Sequence, residues 1–355
     1  MTNQIKSLER NVGASLADII TNVRSNDVLA DLSQYEPIKT GFELLDSTIG
    51  GGLKKNELIL IGGPPGVGKT IASLQIARNI ASQPDQIVYY LSYEHSEIHL
   101  VHRLLCLESI DPTNSETLLK GVSLRHIDEM FSAENLNKQG VKGDKSAFMR
   151  VLGSDQRTLR ALKLMQGYAR KLIIAKASSN TTDLDTIRSN VASLCRRYGS
   201  RVTVMVDYLQ KVPVRELMPE SERITVVAEG LKDLAMQHNI PIWAVVAADR
   251  EGLQAERMRL YHLRGSSALE YEADIALIMS NKYTILREDL KQNMVDARKT
   301  RDWVVFTVEK NRAGVAFQEL EFQLHARYFT FNPEGRYPDA NTLIGSQSRN
   351  THIGL

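Results

Sequence analysis

The sequence has no long apolar run: no stretch of its 355 residues approaches the ~18 consecutive apolar side chains that cross a bilayer, so no membrane segment is expected. The opening residues, MTNQIKSLERNVG, lack the apolar centre of a secretion signal. Cysteine is nearly absent. Cys106 and Cys195 stand far apart with no CxxC, which removes a zinc ribbon and a secretory disulfide framework. A dominant charge is missing too, since 44 Lys+Arg against 42 Asp+Glu leave only +2. Bulk charge therefore does not announce nucleic acid, although a ring or channel can gather its basic residues on one surface. No internal repeat is visible. What is present, 43% hydrophobic and 24% charged residues, suits a globular core of one elaborated α/β domain or two average ones. The expectation is a soluble cytoplasmic protein.

Residues 1–36 are polar except for an amphipathic stretch, Ser15–Leu32, in which Ile19, Ile20, Val23 and Val28 make a short apolar face. Such a segment either packs on its own chain or docks a protein partner. From Tyr35 onward the pattern alternates. Apolar, β-rich runs occur at Glu57–Ile61, Ile87–Ser92, Leu172–Ala175, Val202–Val206, Ile242–Ala247, Asp274–Met279 and Trp303–Glu309. Near-continuous apolar strands suit a mainly parallel sheet covered on both faces. Helical periods lie between them, at Leu184, Ile187, Val191 and Leu194 and at Val227, Leu231 and Leu234. Glu94 to Lys171 reads as a helical excursion with a polar middle, ENLNKQGVKGDKS, and Tyr283–Asp302 as a charged loop or hairpin. Residues 333–355 read as a loose tail. The class is α/β, with a mainly parallel central sheet flanked by helices.

Gly63, Pro64, Pro65, Gly66, Val67, Gly68, Lys69 and Thr70 match GxxxxGK[ST], after a strand and at the head of the helical run TIASLQIARNI. The glycines let backbone N–H groups turn inward around a phosphate, at a helix N-terminus whose dipole favours anions. Lys69 is expected to reach the β- and γ-phosphates of ATP, and the Thr70 hydroxyl to ligate Mg²⁺. A second acidic element must serve the metal and the attacking water. Asp207 ends the apolar strand VTVMVD and suits the metal; Glu94 follows the strand IVYYLS and suits the water. Either acid alone reads equally well as a solvated strand-end residue. Their joint placement downstream of the phosphate loop favours the catalytic reading.

These pieces, in this order, resemble the RecA-type ATPase domain of the DnaB replicative helicase family, from about Pro37 to Asn332. The carriers are GGGLKKNELILIGGPPGVGKT, YLSYEHS, VMVDYLQKV, LKDLAMQHNIPIWAVVA, LRGSSALEYEADIALIM and VEKNRAG. The likeness implies a RecA-like P-loop NTPase that hydrolyses ATP with Mg²⁺. It also implies a homo-oligomer, with a hexamer as the expected form, acting on single-stranded DNA. It puts the catalytic glutamate at Glu94, lysine and arginine fingers for the neighbouring subunit at Lys310 and Arg312, and DNA-phosphate contacts at Arg264, Gly265 and Ser266. The RadA/Sms recombination ATPases and the KaiC clock ATPases are more distantly similar.

Three departures bear on function. The large helical N-terminal domain of those helicases has no counterpart in these residues. The strand end that normally carries Ser-Gln, the γ-phosphate sensor, falls on Val246 and Ala247. In the DNA loop a Glu is replaced by Gly265 and a Gly by Ser267. Two functions of different class remain: a DNA translocase or helicase, and an ATP-gated assembly or regulatory ring or filament that does not unwind DNA. Elsewhere the expectations are plain. His95, His99 and His102 make a polar helix face rather than a zinc site. Tyr89, Tyr90 and Tyr93 pack a strand, and Trp243 lies in the core.

Overall fold

The computed structural model describes residues 15–17, 36–132, 147–215, 218–255, 257–286 and 300–338. The chain divides into a unit Met1–Glu36 and a unit Pro37–Leu355. Leu16 and Ala17 of the first are helical. The rest of the amphipathic stretch lies outside the described residues. So do the polar middle of the excursion, the centre of the Tyr283–Asp302 insertion and the tail beyond Pro338.

Among its described residues the second unit has nine strands: β1 (Leu58–Gly63), β2 (Ile87–Ser92), β3 (Leu172–Lys176), β4 (Val202–Asp207), β5 (Ile242–Ala247), β6 (Ile275–Asn281), β7 (Trp303–Asn311), β8 (Gln318–His325) and β9 (Thr330–Phe331). Their order across one sheet is β3-β2-β4-β5-β1-β6-β7-β8-β9. The first six pair in parallel and the last three add an antiparallel wing. Every apolar run expected as a strand is one; β8 and β9 are additions. The helices that matter to the site are α1 (Lys69–Ser82), α2 (Glu97–Glu108), α3 (Gln156–Gln166), α4 (Leu184–Tyr198), α5 (Glu220–His238) and α6 (Ser266–Glu272).

Alternation along each strand sends successive side chains to opposite faces. Ile59, Ile61, Tyr90, Met205 and Trp243 pack one face against Ile76, Ala77 and Ile80 of α1. Leu58, Leu60, Val204, Val206 and Ala244 pack the other against Ile187 and Val191 of α4 and Val227, Leu231 and Leu234 of α5. Both faces are apolar because both are covered, which explains why these strands read as unbroken hydrophobic runs. Trp243 is fully buried, as expected, and its Nε1–H also donates to Ser73 Oγ of α1 at 2.8 Å. The helix α5 stops where Asn239 turns left-handed, at φ 53°. One expectation changes: Lys282–Leu286 is a short helix, begun where Asn281 Oδ1 accepts the Tyr283 N–H at 2.9 Å, so the insertion does not leave β6 as a loop.

Register decides what meets at the sheet's edge. Gly63 pairs with Ala247, and Ser92 with Asp207, so the C-terminal ends of β1, β5, β4 and β2 share one rim. In open parallel sheets, that rim is where ligands bind.

Candidate nucleotide site

The loop from Gly63 to Gly68 leaves β1 and delivers Lys69 and Thr70 as the first two residues of the fourteen-residue helix α1. Gly68 caps that helix with φ 104°, and a Cβ there would stand 2.9 Å from Phe331 Cζ of β9. Both the backbone angle and the aromatic ring behind it require glycine. The helix start thus offers unpaired N–H groups to an anion. Lys69 Nζ donates to the carbonyls of Gly63 (2.7 Å) and Pro64 (3.0 Å), inside the loop itself. Burial pulls the Lys69 ammonium down to about 8, against the opposing pull of the Asp207 and Glu94 carboxylates.

Asp207 is 1% exposed at the tip of β4. Burial pushes its carboxyl up, while the hydroxyls of Thr70 and Tyr90 draw it back. The Tyr90 hydroxyl donates to Oδ2 at 2.9 Å, and Oδ1 is buried with no hydrogen-bond partner. An orphaned carboxylate oxygen in a buried pocket is costly unless something completes it. Beside the Thr70 hydroxyl, a hard oxygen set of this kind fits a Mg²⁺ ion. Glu94 is exposed at the neighbouring turn, which is tied down by the Tyr93 N–H donating to the Asp207 carbonyl at 2.7 Å. Lys69, Thr70, Glu94 and Asp207 line a single cavity of about 380 Å³.

The same cavity holds residues that the sequence pattern did not single out. Arg103 projects from α2, its guanidinium 5.0 Å from the centre of the Phe329 ring, and both face the cavity. Burial lowers the Arg103 pKa, and Tyr90, Asp207 and Glu94 oppose that shift. Tyr90 packs its strand, as expected, and also holds the Asp207 carboxylate. Neither Arg103 nor Phe329 belongs to a motif, so no spacing in the sequence marks them. A further cavity, about 630 Å³, opens between the far ends of α1 and α2 and holds none of these groups.

Lys310 and Arg312 are not brought to this site. The Lys310 ammonium bonds the Glu270 carbonyl and lies 3.3 Å from that of Tyr271; Arg312 bonds the Tyr271 carbonyl and the Asp274 carboxylate, 3.2 Å away. Asp274 in turn accepts the Leu58 N–H at 2.8 Å. They therefore stand at the start of β1, while the phosphate loop begins at its end, five rises or roughly 17 Å away. Arg264, Gly265 and Ser266 do lie at the rim: the Arg264 N–H donates to the Ala247 carbonyl at 3.1 Å. Gly265 caps α6 with φ 81°, and a Cβ would come within 2.5 Å of Ile224 Cγ2. A Glu at that position would be strained here, which accounts for this departure from the resembled pattern. Val246 is buried, and Ala247, whose side chain is only a methyl, is among the residues that line the nucleotide cavity.

No trio of metal-ligating side chains occurs among the described residues. His102 is not part of a purely polar face: its ring stacks on Phe131 and Phe148, at 5.7 and 6.2 Å between centroids. Among the described residues, no helix is long and apolar enough to cross a membrane.

Residues 37–332 match the family model described as the DnaB-like helicase C terminal domain. The chain is 25% identical over 318 residues to the replicative DNA helicase DnaC of Bacillus subtilis (strain 168), covering 87% of this chain and 59% of that protein. It is 26% identical over 287 residues to the replicative DNA helicase DnaB of Geobacillus stearothermophilus, covering 77% and 54%. The chain thus spans between half and two thirds of these relatives. Among solved structures, an ATPase domain superposes with a TM-score of 0.67 at 19% identity, covering 90% of this chain and 98% of that one. A DnaB-like replicative helicase, solved in a study of its interactions with primase, gives 0.65 at 19% identity, covering 93% and 70%. At that identity the likeness establishes the RecA-like fold.

Proposed function

The chain belongs to the DnaB-like helicase C-terminal domain family, and on that premise we propose that it is the ATP-hydrolysing motor of a ring-shaped homo-oligomer that moves on single-stranded DNA. The observation that carries this reading is the gathering of Lys69, Thr70, Glu94 and the half-satisfied Asp207 carboxylate in one cavity at the rim of a parallel sheet. In this reading the backbone N–H groups from Gly63 to Thr70 cradle the phosphates, and Lys69 leaves its own loop carbonyls to meet the β- and γ-oxygens. Thr70 and Asp207 would hold Mg²⁺, which supplies charge neutralisation on the phosphates. Glu94 accepts the proton of the attacking water, and Arg103 adds positive charge from within the same chain. Lys310 and Arg312, a strand's length from their own cavity, serve a neighbouring copy, and the shared site is what makes the oligomer necessary. Arg264, with the backbone of Gly265 and Ser266, grips DNA phosphates.

The specific test is steady-state ATP hydrolysis with and without single-stranded DNA. Stimulation that falls steeply with salt is expected, because phosphate contacts release counterions. Hydrolysis indifferent to DNA would instead support the ATP-gated assembly reading. Ala247 favours that second reading, since its methyl cannot hydrogen-bond a γ-phosphate.

Tyr90 gives a finer check on the metal assignment. Tyr90→Phe removes the donor to Asp207 Oδ2 and keeps the ring. Loss of an outer partner to a metal ligand typically costs about 10- to 100-fold in metal affinity. Half-maximal hydrolysis should therefore need at least about tenfold more Mg²⁺. An unchanged Mg²⁺ titration would remove Tyr90 from the site.

A further inference from the structure

The segment after Asp207 turns through a short 3₁₀ helix, Leu209–Lys211, whose middle residue is Gln210. Gln210 is 5% exposed, and its carboxamide is used at both ends. Oε1 accepts the Ala247 N–H at 3.0 Å, and Nε2 donates to the Arg264 carbonyl at 3.3 Å. The Arg264 N–H closes the triangle by donating to the Ala247 carbonyl at 3.1 Å. Both backbone groups of Arg264 are thus held, one by the end of β5 and one by Gln210. Three segments meet there: the Asp207 turn, the β5 end that lines the nucleotide cavity, and the loop that carries Arg264 into α6. The Gln210 side chain ties the first of these to the other two.

A buried carboxamide with both ends satisfied has one geometry that suits both partners. Moving the Asp207 turn moves Gln210, and then either the Ala247 bond or the Arg264 bond must follow or break. Breaking one leaves a buried polar group unpaired, at a cost comparable to the coupling energies of ordinary allosteric systems. Ala247 contributes only its backbone, so the polar link in this chain has to come from a neighbouring element.

We infer that Gln210 is the positioning residue that couples the state of the nucleotide site to the Arg264 loop. This inference rests on the ATP site and the DNA grip of Arg264 proposed above, and its test separates the two. Gln210→Glu keeps an acceptor for the Ala247 N–H but loses the donor to Arg264. Gln210→Leu loses both bonds at similar volume, and guards against misfolding of the charged variant.

Hydrogen exchange of residues 260–268 is followed in the full-length chain with Mg²⁺ and either ADP or a non-hydrolysable ATP analogue. In the wild type, exchange of this loop should differ at least about threefold between the two nucleotides, equivalent to a coupling of modest size. In both variants the difference should vanish while each nucleotide's affinity stays within about twofold, which a merely structural role would not produce. The inference is overturned by a wild type with no nucleotide-dependent difference, by variants that keep it, or by variants whose nucleotide affinity collapses with it. A parallel measurement of oligodeoxythymidylate-stimulated hydrolysis reads the functional proposal separately. A wild type whose loop responds to nucleotide, but whose hydrolysis ignores the oligonucleotide, would keep the coupling and remove the DNA motor.

Discussion

Chains carrying Lys69→Ala and chains carrying Arg312→Ala will each be nearly inactive alone, yet will recover hydrolysis when co-assembled. Each substitution should lower kcat at least ~10³-fold, the usual scale for loss of a charge that stabilises phosphoryl transfer. The recovery follows from the shared site proposed above. Lys69 lies at the end of β1 and Arg312 at its beginning, bonded to Asp274, which in turn holds the Leu58 N–H. A site built from one chain's Lys69 and the next chain's Arg312 is intact wherever an Arg312→Ala chain presents its loop to a Lys69→Ala chain. In random one-to-one rings about a quarter of interfaces meet that condition, so hydrolysis near a quarter of wild type is expected if sites act independently. The measurement is the ATPase rate of co-purified, differently tagged chains at several ratios. A mixture that never rises above the single variants means that Lys69 and Arg312 do not meet in a shared site, and an Arg312→Ala chain fully active alone means that the site is complete within one chain, with Arg103 as the arginine that matters.

The two variants also differ in binding. Lys69→Ala removes a phosphate contact and weakens ATP affinity directly, whereas Arg312→Ala leaves the cavity of its own chain untouched. Equal loss of ATP affinity in both would contradict the separation of roughly one strand length between them.

The parallel half of the fold was legible in sequence because both faces of the sheet are covered, which turns β1, β2, β4 and β5 into short apolar runs with turns between them. The phosphate loop was legible because its chemistry fixes residue types at fixed spacing. Of the antiparallel wing only β7 was, as the apolar run Trp303–Glu309. β8, QELEFQLH, carries Glu319 and Glu321, which read as surface residues; only the structure reveals that Glu321 is fully buried between two cations. Phe329 and Phe331 were invisible for a related reason. Phe331 reaches the phosphate loop from a strand of two residues, with Phe329 just before it, and Gln75 of α1 clamps that strand, exchanging bonds of 2.9 and 2.7 Å with the Phe331 backbone. Contacts between α1 and a segment 256 positions later leave no periodic trace. Gln210 shows a third limit. Its place in DYLQ was visible, but its use depended on which backbone groups the register left beside it.

Glu321→Ala should be among the most destabilising single changes in the chain, for an electrostatic reason. The carboxylate is 0% exposed; Oε2 takes the Lys282 ammonium at 2.6 Å and Oε1 the Arg336 guanidinium at 2.6 Å. Lys282 is itself 5% exposed, so it cannot turn to water when its partner is removed. Arg336 can: it is more than half exposed and lies 4.0 Å over the Trp303 ring. The cost is therefore the stranded Lys282 charge, and removing one partner of such a buried pair typically costs about 3–5 kcal/mol. Urea denaturation at neutral pH should show a loss of that size. The double change Lys282→Met with Glu321→Leu should return most of it, because apolar side chains of similar volume replace a buried pair at little net cost. A single variant that loses less than about 1 kcal/mol would mean that Lys282 finds water or another partner. The loss should also reach the nucleotide site. β8 pairs with β9, and β9 supplies the Phe331 ring that backs Gly68, so a loosened β8 removes the wall against which the phosphate loop is folded. ATP affinity should fall with stability in Glu321→Ala and recover in the double variant, linking the far edge of the sheet to its catalytic rim through packing alone.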